Sequence, residues 1–197
     1  MNKNAKDFIK FVKAECKKNG IKCDLRNTKY VKLSGNIKCS GYFDEEGPAL
    51  VCSMNRPDSL EILAHEFGHF TQWIEQIDLW KAVNTSMPLV DDWLSGKDVP
   101  NIKKHLAICR DLELDNEKRA VKIIKKFNLD IDIERYIKKA NAYIFFYTRL
   151  LATRKWCTPK NSPYSNNKII EVMPTYFRRD YSIIPKKIET IFIEEGT

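Results

Sequence analysis

The run His65-Glu66-Phe67-Gly68-His69 places two imidazoles four residues apart, with a carboxylate directly after the first. On a helix, positions i and i+4 face the same way, about one turn apart. Two imidazoles so placed suit a tetrahedral Zn²⁺, whose bonds to ring nitrogens are about 2.0–2.1 Å long. Glu66 then flanks the ion instead of binding it, the right place for a base that takes a proton from a metal-activated water. Gly68 removes a side chain beside the second histidine and lets another backbone come close. A glycine inside a helix costs about 1 kcal/mol relative to alanine, so close packing has to offset it. With three histidines and 13 glutamates in 197 residues, chance produces this spacing in about three such chains in a thousand.

A third protein ligand is needed, and the chain has only one other histidine, His105. That excludes a third histidine close behind the motif and turns attention to carboxylates downstream. On a helical wheel centred on Glu113, Ile102, Leu106, Cys109, Ala120, Ile124 and Phe127 fall within about 40° of it. Lys104, Asp111, Lys118 and Lys122 fall opposite. Glu113 therefore sits in the middle of an apolar stripe, with Glu117 one turn on. Two carboxylates on a buried helix face are costly unless paired or metal-bound. The expectation is Glu113 as ligand, with Glu117 accepting the ring N–H of a ligand histidine and fixing its tautomer. The reverse assignment stays open. An oxyanion would need a further donor; His105, Tyr176 and Arg178 are the candidates.

These residues need elements to carry them. Residues 5–19 hold Phe8, Phe11, Val12 and Cys16 at helical spacing, stopped by Gly20. Residues 29–33, 37–43 and 49–54 read as short strands, with turns at Ser34-Gly35-Asn36 and at 44–48. Asp58, three before Glu61, forms a capping box that opens a helix over 59–77. With apolar residues on both sides, that helix reads as a buried central one. Residues 85–97 read as loop. Further helices are expected over 100–127, over 133–154 after an Asp132 cap, and over 185–192, with a loop-rich stretch at 156–167. The fold class is α+β and mostly helical: a small N-terminal, mostly antiparallel sheet packed on a central zinc-binding helix, then a helical C-terminal half. No repeat or linker divides residues 1–197, so one domain is expected. The aromatic run Tyr143, Phe145, Phe146 and Tyr147 reads as core.

Composition sets the setting. Hydrophobic residues make up 43% and charged residues 30%, an ordinary soluble balance. The net charge of +8 is spread along the chain, so it reads as solubility ahead of a nucleic-acid surface. Six cysteines form no CxxC pair and follow no secretory signal, which points to free thiols in a reducing cytoplasm. The longest uncharged apolar run is too short to span a bilayer.

HEFGH behind a strand-rich N-terminal part, followed by a helix reading Glu113-Leu114-Asp115-Asn116-Glu117-Lys118-Arg119-Ala120, resembles the ImmA/IrrE-type gluzincin peptidases and related phage-encoded metallopeptidase-like proteins. The chain departs from that pattern in having Asn116-Glu117 where Cys-Asn is common, and it has no helix-turn-helix of a fused regulator. The resemblance implies one Zn²⁺ held by His65, His69 and Glu113, with Glu66 as catalytic base. It also implies a strand near 49–54 that aligns an extended substrate by β-augmentation. The expected function is zinc-dependent endopeptidase acting on a protein or peptide, in the cytoplasm (the host's for a phage-encoded chain). The alternatives are a zinc-binding regulatory or interaction protein with little proteolysis, and a DNA-associated protease.

Overall fold

The computed structural model describes residues 1–33, 37–158 and 161–197; the turn expected at Ser34-Gly35-Asn36 lies outside them. The backbone falls into two compact units, residues 1–76 with 116–131, and residues 77–115 with 132–197.

The first unit begins with α1 (Lys3–Lys18), where the Asn2 side chain accepts from the Ala5 N–H and caps the helix. Its buried face is Ala5, Phe8, Val12 and Cys16, the helical spacing written in the sequence. The Ile21 N–H closes the helix on the Cys16 carbonyl at 2.8 Å. Among the described residues five strands follow: β1 (Lys22–Arg26), β2 (Val31–Lys32), β3 (Lys38–Cys39), β4 (Gly41–Asp44) and β5 (Ala49–Ser53). One sheet has the order β1-β5-β4, with β1 parallel and β4 antiparallel to β5; β2 and β3 form an antiparallel pair. All five residues of β5, the central strand, are buried.

Helix α2 (Ser59–Glu75) lies against β4 and β5 and carries the HEFGH run. It ends at Gln76, whose φ of 50° is left-handed. A Cβ on Gly41 would stand 2.9 Å from Ile62 Cγ2 and 3.0 Å from Glu66 Cγ, so only glycine lets β4 come this close to the helix. On the other side, Phe67 meets Phe11, and Phe11 and Phe8 meet Phe127, with ring centroids 5.0–5.6 Å apart. Phe127 directly follows α4 (Ile102–Lys126), whose second half belongs to this unit and buries Asn116, Glu117, Ala120, Val121 and Ile124.

The second unit holds α3 (Asp78–Leu94), the first half of α4, α5 (Ile133–Thr153), α6 (Asn167–Val172) and α7 (Lys186–Glu194). Its core includes Ala142, Ile144, Phe145, Ile169, Met173, Tyr181, Ile188 and Phe192. Buried Asn141 pins the stretch after α6: its Nδ2 donates to the carbonyls of Pro174 (2.8 Å) and Tyr176 (3.0 Å), and its Oδ1 accepts from the Tyr181 hydroxyl. Asp132 caps α5 through the Arg135 N–H, as expected.

The α+β, mostly helical architecture agrees with the sequence, while several details differ. Residues 85–94 are helix, not loop. Trp80, Val83, Ser86, Val90 and Trp93 form one buried face of α3, and Pro88 removes only one rung of its ladder. Strand β1 and helix α6 were not expected; β1 is short and half-buried, so its sequence alternates weakly, and pairing with β5 makes it a strand. Asp58 makes no capping bond to α2, because its carboxylate takes Arg56 at 2.8 Å through both oxygens. Among the described residues, no helix is long and apolar enough to cross a membrane.

Candidate metal centre

Helix α2 presents His65 and His69 on one face, with ring centroids 4.8 Å apart and rings nearly perpendicular. Each Nδ1 has an acceptor beside it: Glu117 Oε1 at 3.1 Å from His65, and Gln72 Oε1 at 2.9 Å from His69. A carboxylate or amide oxygen only accepts, so these two contacts favour a proton on each Nδ1, which leaves the Nε2 lone pairs for a metal. Gln72 stands one turn after His69 on the same helix and is fully buried.

Helix α4 is continuous, so Glu113 stands one turn before Glu117 on the same face. One ligand atom each from His65, His69 and Glu113 lie within 4.8 Å of one another, with Glu113 buried and the histidines half-buried. Ligands around a tetrahedral zinc are about 3.4 Å apart, so small rotamer changes would draw these atoms onto an ion. Two imidazoles and a carboxylate are a fitting donor set for zinc. This group of three could hold a metal ion.

The second half of α4 is locked to α2. Asn116 Oδ1 rests against the Gly68 Cα, in the space a Cβ would take, and Asn116 Nδ2 lies 3.1 Å from His65 Nδ1. Three residues further along α4, Arg119 donates to Thr71 Oγ1 at 3.2 Å and pairs with Glu75 at 2.8 Å. The close approach expected at Gly68 is therefore made by the Asn116 side chain.

Glu66 is 8% exposed and lies outside the group of three. It turns toward the sheet, where its methylene approaches Gly41. Its charge reaches two thiols there. Burial chiefly raises both Cys52 and Cys39, and the Glu66 carboxylate raises them further.

The three oxyanion candidates have other surroundings. His105 Nδ1 lies 3.2 Å from Ser86 Oγ. Tyr176 is 63% exposed. Arg178 Nε donates to the Asp180 carbonyl, and its guanidinium lies over the Phe145 ring. The strand suggested for substrate alignment, 49–54, is β5, the middle of its sheet. Its backbone is committed to β1 and β4, so it cannot accept a further strand; β4 is the edge on the α2 side.

Sequence reasoning missed Gln72 and Asn116. The signal for Gln72 was present, since His69-x-x-Gln72 is one helical turn; Asn116 had none beyond its neighbours. No protein-family model, no curated protein and no solved structure matches the chain.

Proposed function

We propose that the protein is a zinc-dependent endopeptidase with a gluzincin-type His-His-Glu site, of the kind its resemblance to ImmA/IrrE peptidases implies. The observation that carries this reading is the gathering of His65, His69 and Glu113 within 4.8 Å, with Glu66 next in sequence to the first of them. Glu117 and Gln72 support it by holding both rings in the tautomer a metal needs. Zinc bound there would acidify a water and polarise a peptide carbonyl. Glu66 takes the proton of the attacking water and returns it to the leaving amine. Strand β4, an edge strand packed on α2, offers backbone groups to an extended substrate.

The test is metal analysis joined to cleavage of an unbiased peptide library. Purified protein is expected to hold one zinc and to cut. Glu66→Gln is expected to keep the zinc and lose at least about a hundredfold in rate. A Glu66→Gln protein as active as wild type overturns the base role. Zinc without any cleavage in wild type leaves a zinc-binding interaction protein.

A further inference from the structure

Helix α1 carries Lys3, Lys6, Lys10, Lys13 and Lys17, all of them exposed. Their spacing alternates between three and four residues. On a helix they fall within an arc of about 80°, opposite the buried Ala5, Phe8, Val12 and Cys16. The net charge is spread along the chain as a whole, but here the cations form one row, about 21 Å long at the helical rise.

This row opposes the helix that carries it. Each lysine stands about one turn from the next, and like charges at that spacing repel. Lys3 and Lys6 lie in the first turn, at the positive end of the helix dipole, and that turn holds no acidic residue. Asp7 and Glu15, the acids of α1, both fall outside the arc. Glu15 lies 4.0 Å from Lys18, which is off the row, and among the described residues none of the row's lysines is held in a salt bridge. A partner with a linear array of negative charge would relieve the repulsion.

The rest of the helix narrows the partner. A helix that lies on a membrane turns its apolar side chains to the lipid. Those of α1 are committed to the core: Phe11 meets Phe67 and Phe127, and Lys126 covers its ring at 4.5 Å. A single-stranded nucleic acid stacks its bases on exposed aromatic rings, and both aromatic residues of α1, Phe8 and Phe11, are turned inward. A duplex offers a phosphate backbone with one negative charge per about 1.7 Å of axis, and cations alone suffice to hold it.

We propose that the lysine row of α1 binds the phosphate backbone of a nucleic-acid duplex without regard to base sequence. The interaction does not depend on the metal site.

The experiment is fluorescence anisotropy of a labelled DNA duplex of about 20 base pairs, titrated with full-length protein over a series of salt concentrations. Wild type is expected to bind with a Kd of about 10⁻⁴–10⁻⁶ M near physiological salt. Log affinity is expected to fall against log salt with a slope of about −4.5, the value for five phosphate contacts. The triple variant Lys6→Gln, Lys10→Gln, Lys13→Gln is expected to make that slope shallower by about 3 and to bind at least about tenfold more weakly at low salt. Its melting temperature is expected at or above that of wild type, since the row repels itself. Lys155→Gln, Lys186→Gln, Lys187→Gln makes the same charge change on exposed lysines of the second unit and is expected to keep the wild-type slope. A wild type that does not bind the duplex at low salt overturns the proposal. So does a row variant with the wild-type slope, or a second-unit variant that loses as much. If the row variant fails to fold, Lys10→Gln alone is read, and a slope not shallower by about 1 overturns the proposal. Tighter binding to a single strand of the same length, or to phosphatidylserine vesicles, overturns the choice of duplex.

Discussion

His65 Nδ1 lies 3.1 Å from Glu117 Oε1, a contact between residues 52 positions apart. On the proposed reading, one carboxylate on α4 serves the ring while its neighbour one turn earlier joins the His65–His69 group as ligand. On that reading the two glutamates of the apolar stripe have different jobs, and their removal should have different consequences. Glu117→Ala is expected to weaken zinc binding about 10–100-fold with one zinc still bound at saturation. Glu113→Ala is expected to lose stoichiometric binding. Chelator competition on both variants measures this, and the opposite ranking would exchange their roles.

Gly68 gives a second test, on stability. In an exposed helix, Gly→Ala gains about 1 kcal/mol. Here the new Cβ falls on Asn116 Oδ1. Gly68→Ala is expected to destabilise the protein by about 1–3 kcal/mol, the usual range for overpacking. Asn116→Ala should remove the clash, so the double variant is expected to be more stable than the sum of the two single changes predicts. Urea unfolding of the three variants decides it, and simple additivity would show that the contact carries no strain.

The thiols supply a pH-dependent prediction. Cys23 is lowered from the ordinary thiol range, first by the hydrogen bond from Cys16 and then by Lys13, against an opposing effect of burial. Cys16 is raised by that same hydrogen bond and by its own burial. Cys157 is raised by burial. A lowered thiol becomes thiolate at lower pH, and the thiolate is the nucleophile. As pH rises, Cys23 is expected to react with iodoacetamide first, Cys157 later, and Cys16 last. Cys16→Ala removes the S–H donor and is expected to move the Cys23 profile to higher pH. Peptide mapping after timed alkylation reads this out, and a Cys23 slower than Cys157 would contradict it.

Much of the site was legible in the sequence because its information is local. Four-residue spacing on a helix is enough to align His65 with His69, and a wheel is enough to find Glu113 and Glu117 on an apolar stripe. The same periodicity announced α1, α2, α4, α5 and α7. It failed over 85–94, read as loop, where the buried face of α3 carries the helix through Pro88. It failed again at β1, whose strand character comes from its pairing with β5.

The sequence alone determined the donor types, their spacing and the helices that carry them, because these depend on neighbours within a turn or two. Only the tertiary structure decided which partner each donor meets. Glu117 on His65, Gln72 on His69, Asn116 against Gly68, and β4 in place of β5 at the sheet edge all follow from how the segments pack. A helical period states which face is buried, but the group that waits on the other side is set by segments tens of residues away.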